Sequence, residues 1–371
     1  MVNPEIIEKQ KRAVAAEGLD ALIALSPENV TYTTGIVVPS QSLMRWRHAV
    51  CIVTSDGRVT MLVIDMEETT VRGHGGVADL RVYHEFTEDP MDKLSEALTD
   101  LKLERAKLGI EMEYIPGKDL TTLQRKLPGA EMVAADGLFH KLRQVKTREE
   151  LNLLRSLSRT TDRAIGDALD NAREGMTEME LAGLLVSGIF AAGAENFKLM
   201  IIATGERSQY PNVGPTQRVI QKGDIIRMEI FGMQKGYHAG VCRTAVVGPA
   251  TAEQKKIWEN LIECKYLVMD LIKPGAVCRE IYERFLKKFS QLGFEPISFV
   301  GHGIGLFLHE EPYLGRYGDG SLEEGMVLAI EPLVFIPGKM GLQNKDMLSV
   351  TKRGCELLSD CTPTDRLIQV G

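Results

Sequence analysis

The sequence is most informative at the stretch GHGIGLFLHEEP, residues 301–312, which holds two of its seven histidines among glycines and apolar residues. Glycines let the backbone come close to a ligand, and imidazoles bind metal or move protons near neutral pH. Such a segment indicates a polar site walled by apolar groups. His302 and His309 are equally consistent with core histidines that are buried and satisfied. The rest of the chain decides between these two interpretations.

The composition indicates an ordinary cytoplasmic enzyme. With 371 residues, the chain exceeds one small domain, and its net charge of -7 argues against binding to a nucleic-acid backbone. The first residues show no signal-peptide pattern, and no apolar run approaches the ~18 residues that span a bilayer. We therefore expect no membrane partner. The six cysteines form no CxxC pair, so we expect reduced thiols and neither a zinc ribbon nor a redox pair.

Periodicity and capping signals predict two α/β domains, at residues 1–140 and 141–371. Short apolar strands alternate with helices up to about residue 139. A charged, uninterrupted segment over 141–150 then runs into a long helix, where Thr147 and Glu150 have capping-box spacing. A second helix begins at Thr177, with Glu180 at the same spacing. Helix pairs and strand pairs occur twice after the boundary, which predicts two related α/β halves around one sheet.

Individual elements follow from the same signals. We predict helices over residues 4–17, 90–101, 118–126, 252–272 and 277–292. We predict strands over residues 21–25, 49–53, 59–64, 80–83, 108–111, 198–203, 224–231, 237–247, 326–335 and 341–350.

Two adjacent predicted strands carry polar residues on apolar backgrounds. The period-2 rule puts Arg227 and Glu229 on one face of the first strand. A buried Glu needs a partner, a metal or a proton, so Glu229 is either a site residue or the ion-pair partner of Arg227. On the second strand, Gly240 and Cys242 share a face. Cys242 is a nucleophile beside a histidine or, by preference, a small apolar filler.

Glu331 makes the stronger case for a site. It is the only ionisable residue in the apolar run 327–335, which predicts a core strand. An acid in such a strand is costly unless it is used, so we interpret Glu331 as a site residue. Lys345 lies on the next predicted strand, where it either faces Glu331 or is a solvated turn residue.

The order of these motifs resembles the creatinase/prolidase/aminopeptidase P family over nearly the whole chain. The matching segments are KGD at 222–224, GY at 236–237 with Arg243 and Thr244, the stretch 301–312, GM at 325–326 with Glu331 and Pro332, and Asp346. The resemblance implies a creatinase-type N-terminal domain, a pita-bread catalytic domain with a curved antiparallel sheet, C–N bond hydrolysis and a homodimer.

In the peptidase members, the resemblance implies two metal ions on five ligands. The five matching positions hold Glu229, Gly240, His302, Glu331 and Lys345, where the family pattern has Asp, Asp, His, Glu and Glu. Two divalent cations would then meet an ammonium, with a repulsion of ~4 kcal/mol per unit charge pair at ~4 Å and an effective dielectric constant of ~20. We therefore expect no cofactor and a tethered cation in Lys345. One labile divalent metal on Glu229, His302 and Glu331 is the alternative.

Creatine-hydrolysing members provide a metal-free precedent within the same resemblance. Arg316 matches an arginine that binds the substrate carboxylate, and Arg45 or Arg47 matches a second arginine that comes from the partner subunit. Three other positions of that pattern differ, and they hold Asn212, Cys242 and Lys345 instead of His, Glu and His. Creatine itself is therefore not the expected substrate.

The sequence thus predicts a homodimeric hydrolase for the C–N bond of a small carboxylate-bearing amide or amidine, without a binuclear metal centre. Glu331 would orient or deprotonate the attacking water. His302 and His309 would stabilise the developing anion and the leaving nitrogen, while Lys345 and Glu229 set the electrostatics. The alternatives are a divergent Xaa-Pro metallopeptidase and a catalytically silent protein that binds a peptide or protein.

Overall fold

The computed structural model describes residues 2–44 and 46–371. The predicted substrate residue Arg45 lies outside the described residues. The chain consists of two compact units, Met1–Arg143 and Gln144–Gly371. Each unit has its own sheet structure and its own hydrophobic core.

The first unit is a mixed α/β domain around a six-stranded sheet. Its helices are α1 (Pro4–Ala16), α2 (Pro27–Thr34), α3 (Glu68–His74), α4 (Pro90–Asp100), α5 (Gly117–Lys126) and α6 (Asp136–Gln144), which ends one residue past the unit. Its strands are β1 (Ala21–Ala24), β2 (Val50–Thr54), β3 (Val59–Ile64), β4 (Asp79–Tyr83), β5 (Lys107–Ile110) and β6 (Glu131–Ala134), in the order β4-β3-β2-β1-β5-β6. The pairs β1-β2 and β2-β3 are antiparallel, and the other neighbours are parallel.

Local signals explain which of these elements were predictable. The helix expected over 4–17 is confirmed as α1, where the Asn3 side chain caps the first turn and Gly18 has a left-handed φ of 62°. Sequence reasoning missed α2, although Ser26 caps it and Gly35 ends it. The α2 sequence PENVTYTT is rich in β-branched and polar residues of low helix propensity, so it shows no helical pattern.

Four α-helices lie wholly in the second unit. They are α7 (Arg148–Asp170), α8 (Glu178–Ala191), α9 (Ala252–Leu271) and α10 (Cys278–Gln291). The capping boxes predicted at Thr147 and Thr177 are confirmed, and Thr251 forms a third one. The segment 141–150 is not one uninterrupted run, because α6 ends at Gln144 and α7 begins only after the cap at Thr147.

The strands of the second unit form two sheets and a hairpin. They are β7 (Asn196–Thr204), β8 (Ile225–Gln234), β9 (Tyr237–Val247), β10 (Phe299–Gly303), β11 (Glu310–Gly315), β12 (Val327–Ile330), β13 (Leu333–Ile336), β14 (Met340–Gln343), β15 (Asp346–Val350), β16 (Cys355–Leu357) and β17 (Ile368–Val370). One sheet has the order β17-β9-β8-β7, the other has the order β11-β10-β12-β15-β16, and β13 pairs with β14. A bridge between Cys242 and Lys345 joins the two sheets, so the one predicted sheet is in fact two linked sheets.

The two unbroken strands predicted over 326–335 and 341–350 are wrong in the same way. The first is interrupted at Glu331 and Pro332, between β12 and β13, and the second at Asn344 and Lys345, between β14 and β15. Proline cannot donate a hydrogen bond to a ladder, which explains the first break. Both breaks place an ionisable side chain where the strands change partners.

Apolar side chains from α9 and α10 pack against the sheet that contains β10, β12 and β15, and they form a hydrophobic core of this unit. Trp258 of α9 and Phe285 of α10 are both buried within it. This packing holds β10, β12 and β15 in place, and these strands carry or flank the predicted site residues. Among the described helices, none combines the length and the apolar character needed to cross a bilayer.

Candidate active site

Strand β8 carries Arg227 and Glu229 on the face that points to the β14–β15 segment, but the two side chains have different partners. The Arg227 guanidinium donates hydrogen bonds to the carbonyls of Ser208, Tyr210 and Pro211 and to the side chain of Gln343. Glu229 lies opposite Cys242 on β9 and pairs with Lys345. Arg227 therefore anchors the loop after β7, and Glu229 is left to the site.

Lys345 lies between two buried carboxylates. Its Nζ is 3.0 Å from Glu229 Oε1 and 3.1 Å from Glu331 Oε2. Burial alone lowers the pKa of Lys345, but the two carboxylates outweigh burial and the net shift is upward. Lys345 is only 1% exposed, so it is a charged site residue that faces Glu331 and not a solvated turn residue.

Glu331 is positioned at the end of β12. Its backbone N–H donates to Val300 O at 2.8 Å, and its Oε2 accepts from Gln343 Nε2 at 3.1 Å. Burial raises the pKa of Glu331, but the Lys345 ammonium and the His302 ring outweigh it and hold this pKa well below its ordinary range. Glu331 is therefore ionised at neutral pH.

The two histidines of the 301–312 stretch lie side by side. The rings of His302 and His309 stack with centroids 3.6 Å apart and an angle of 10° between their planes. Phe299 contacts both rings with its edge. Burial, with smaller effects of His302 and Lys345, lowers the pKa of His309 to about 4. His309 is therefore neutral at pH 7, and it can both donate and accept a hydrogen bond.

His302 is fully buried and faces Glu331. Its Nδ1 lies 2.8 Å from Gly303 O, and its Nε2 lies 3.3 Å from Glu331 Oε1. Neither His302 Nε2 nor Glu331 Oε1 has a well-directed hydrogen bond within the described residues. Buried polar atoms are normally paired, so these two atoms are the ones available to a bound substrate or water.

The glycines of the same stretch have a different task from the predicted one. A Cβ on Gly303 would overlap the backbone of Glu311, and a Cβ on Gly301 would lie 2.8 Å from Ala329 O. Glycine is required at these two positions because neighbouring strands approach closely, and contact of the backbone with a ligand stays a prediction.

Phe231 is a site residue that sequence reasoning missed. Its ring lies opposite Gly240 on β9, and its centroid is 4.4 Å from Lys345 Nζ. The signal was present, since Phe231 is two residues from Glu229 and therefore shares its face of β8. An aromatic residue on the face of a buried acid, across from a glycine, indicates that the ring fills the space beside the glycine.

Two predicted substrate residues differ in accessibility. Cys242 is fully buried, with Sγ 3.8 Å from Gln343 O. Burial, and then the charge of Glu229, raise the pKa of its thiol well above the ordinary value, which suits a small apolar filler. Asn212 is exposed in the segment that follows residues 205–209, next to Pro211.

The arginines predicted to bind substrate, Arg316 and Arg47, differ in their partners. Arg316 is exposed directly after β11, and it forms no hydrogen bond or ion pair within the described part of the chain. Arg47 is engaged, because its guanidinium donates to both carboxylate oxygens of Glu85 at 2.8 Å. A contribution of Arg45 or Arg47 to the site of a partner subunit stays a prediction.

A buried ionic network supports the segment that carries Lys345. Arg243 pairs with Asp162 and Asp346 at 2.9 Å, and Lys265 pairs with Asp346 at 2.6 Å. Arg243 also donates to the carbonyls of Cys242, Lys345 and Ser359. This arginine therefore ties β9 to the residues that flank the break before β15.

We expect acid to destabilise the second unit through His238. His238 is only 4% exposed, and this burial lowers its pKa to about 4. The pKa of a histidine in the unfolded chain is ~6.5. As pH falls from 6.5 to 4, the unfolded chain binds a proton that the folded chain does not, so about 3 kcal/mol of stability is lost. Urea unfolding of His238→Asn across this range should show a smaller loss than wild type. The exposed His74→Asn serves as control, and equal pH dependence of His238→Asn and wild type would contradict the prediction.

The residues present do not fit the two metal ions that the resemblance implies. Gly240 offers no ligand atom, and the Lys345 ammonium already lies between Glu229 and Glu331. Each divalent cation beside that ammonium would meet the ~4 kcal/mol repulsion per unit charge pair estimated for ~4 Å and a dielectric constant of ~20. A binuclear centre therefore has neither enough ligands nor the required charge balance.

A smaller donor set is present. The ligand atoms of His302, His309 and Glu331 lie within 4.8 Å of one another, which matches the donor types used for one divalent cation. This triad contains His309 where the sequence predicted Glu229. Glu229 is instead held by Lys345.

Comparisons with known proteins agree with the fold. The model of metallopeptidase family M24 matches residues 152–352, and the creatinase/prolidase N-terminal domain matches residues 7–145. A Xaa-Pro dipeptidase from Pyrococcus horikoshii is 29% identical over 279 residues, which cover 74% of this chain and 77% of that protein.

Solved structures show the same similarity. A Xaa-Pro dipeptidase from Bacillus anthracis has a TM-score of 0.86 at 25% identity and covers 98% of this chain and 99% of its own. A prolidase from Pyrococcus horikoshii has a TM-score of 0.84 at 26% identity and covers 96% and 99%. The predicted mixed α/β fold, with an N-terminal domain and a pita-bread domain, is confirmed. The chain is a hydrolase that belongs to metallopeptidase family M24.

Proposed function

We propose that this chain hydrolyses the C–N bond of small amides that carry a free carboxylate, with Xaa-Pro dipeptides as the preferred class. One observation carries the proposal: five polar side chains form a continuous row, of which four are buried and His309 is partly buried. The row consists of Glu229, Lys345, Glu331, His302 and His309. Burying so many polar groups is costly, and a packed core has no need of them.

The named relatives favour the peptide bond before proline. Both the Pyrococcus horikoshii relative and the Bacillus anthracis structure carry the name Xaa-Pro dipeptidase. A Xaa-Pro dipeptide is itself a small amide with a carboxylate, so it fits the predicted substrate class. It replaces the non-peptide amide or amidine as the first substrate to test.

The row supports a division of roles in hydrolysis. Ionised Glu331 has its Oε1 available to accept a hydrogen bond from water and to orient it, and its low pKa makes orientation the stronger contribution. Neutral His309 can donate to the developing oxyanion or to the leaving nitrogen. Lys345 offsets the negative charge that grows on the carbonyl oxygen of the substrate.

An activity screen tests the proposal. Purified protein is assayed with Xaa-Pro dipeptides, matched Xaa-Ala dipeptides, and small carboxylate-bearing amides and amidines, each with and without a chelator. We expect turnover of Xaa-Pro dipeptides that persists in chelator. Loss of turnover in chelator, with recovery on addition of a divalent cation, would show that hydrolysis needs a metal ion and would overturn the expectation of a reaction without one. Stabilisation by peptides without any turnover would favour the silent binding protein.

Arg316 is proposed to bind the substrate carboxylate. It is exposed, and it follows Gly315, whose strand partner Phe299 contacts both site histidines. Replacing Arg316 by Met should raise KM about tenfold and change kcat little, because one charge-assisted hydrogen bond contributes ~1.5 kcal/mol or more. Steady-state kinetics check this, with the exposed Arg353→Met as control. An unchanged KM would assign the carboxylate to another group.

A further inference from the structure

Phe231, Gly240 and Lys345 fit together as one packed unit. The Phe231 ring covers the Lys345 ammonium with 4.4 Å between centroid and Nζ. The same ring fills the space beside Gly240, its partner across the β8–β9 ladder. Phe231 and Gly240 are fully buried, and Lys345 is 1% exposed, so the unit lies away from solvent.

Phe231 and Gly240 depend on each other for steric reasons. A Cβ on Gly240 would overlap the Phe231 ring, so no side chain, and hence no ligand atom, can stand at position 240 while Phe231 is present. A close-packed interior cannot absorb such an overlap without moving the ring. The ring in turn contributes its negative face to the ammonium, which is the favoured arrangement for a cation over an aromatic ring.

Lys345, the third residue of the unit, is held in place by electrostatic contacts with two carboxylates. The Lys345 ammonium lies between Glu229 Oε1 and Glu331 Oε2 at 3.0 and 3.1 Å. It thereby takes the position from which a cation could contact both carboxylates. A buried carboxylate pair needs a cation, and here the chain itself provides one.

We propose that Phe231, Gly240 and Lys345 form a built-in cation site, in which the lysine ammonium replaces a divalent cation between Glu229 and Glu331. The unit excludes divalent ions in two ways: Lys345 occupies their place, and the Phe231 ring blocks an added carboxylate at position 240. The inference does not rest on the proposed hydrolysis, because its readouts are cation binding and thermal stability.

Cation uptake is the first test. Wild type, Lys345→Met and Lys345→Glu are titrated with Mn²⁺ and with Zn²⁺ by calorimetry and then examined for bound metal. We expect any binding at the row in wild type to be at least about 100-fold weaker than in K345E, whose carboxylates and imidazole suit these ions. At ~100 times Kd, the melting temperature of K345E should rise by about 5 °C. The exposed Lys339→Met is the matched control.

Retention of a divalent metal by the wild-type protein would overturn the proposed cation site. Wild type that retains one equivalent of Mn²⁺ or Zn²⁺, and loses it in Glu331→Gln, would show that a metal binds despite Lys345. If K345E folds poorly, K345M serves instead. Added cation should then raise the melting temperature of K345M but not of wild type, and equal responses would also overturn the proposal.

A double-mutant cycle tests the steric part. Gly240→Ala should lower the melting temperature in wild type but have little effect in the Phe231→Ala background, because the ring that it overlaps is gone. Gly214→Ala, where a Cβ meets nothing within 4 Å, is the control. Equal losses for Gly240→Ala in both backgrounds would show that Phe231 and Gly240 are not coupled.

Discussion

Replacing Glu331 by Gln should lower kcat about 10³-fold while substrate still binds. The substitution keeps the size of the side chain but removes the negative charge that faces His302 and that we propose orients the attacking water. Loss of a group that positions or accepts a proton typically costs about 10²–10⁴ in rate. Lys345 keeps its ion pair with Glu229, so the site should stay folded. Steady-state kinetics give kcat, and substrate-induced thermal shifts report binding.

The matched control for this prediction is Glu356→Gln. Glu356 belongs to β16 of the same sheet and pairs with Arg155 near the surface. Its replacement should leave kcat within about twofold, because exposed ion pairs contribute little. A Glu331→Gln enzyme that retained a tenth or more of the wild-type kcat would remove Glu331 from the mechanism.

Replacing Arg243 by Met should destabilise the second unit by about 4 kcal/mol. The guanidinium is fully buried and pairs with Asp162 and Asp346. Removing one partner of a buried ion pair leaves an uncompensated buried charge, which typically costs about 3–5 kcal/mol. The backbone carbonyls of Cys242, Lys345 and Ser359 would also each lose one of their donors. The midpoint and slope of urea unfolding give the free energy of unfolding.

A control variant and a rescue variant accompany Arg243→Met. Arg155→Met breaks a partly exposed ion pair with Glu356 and should cost no more than about 1 kcal/mol. Adding Asp162→Asn to Arg243→Met should recover part of the loss, because the stranded carboxylate is neutralised. A loss below about 1 kcal/mol for Arg243→Met would show that water or other groups satisfy both aspartates.

The elements that were predictable depend on short-range rules. Capping at Thr147 and Thr177 involves residues three positions apart, and the strand at 237–247 was visible from its apolar alternation. The strand breaks were less visible, because the apolar run around Glu331 continues on both sides, and the polar segment 343–346 contains no glycine or proline. Pro332 explains the first break, whereas the second break lies where Lys345 bridges to Cys242 of β9.

The structure brings together the predicted residues Glu229, Glu331 and Lys345, but sequence reasoning did not predict how they are arranged. Resemblance and buried-charge arguments singled out Glu229, Glu331 and Lys345, yet they left open which of them pair. Glu229 and Lys345 are 116 residues apart, and only the fold brings their charges to 3.0 Å. Phe231 escaped notice because an aromatic residue in a strand usually signals core packing.

The sequence by itself determined the family, the two α/β domains and the residue types that a metal centre would lack. These properties follow from motif order, periodicity and charge count, which are local or additive. The tertiary structure decided that Lys345 lies between both carboxylates, that His302 stacks on His309, and that Phe231 closes the space beside Gly240. Such contacts depend on the packing of distant strands, because burial and distance set the energy of each charge.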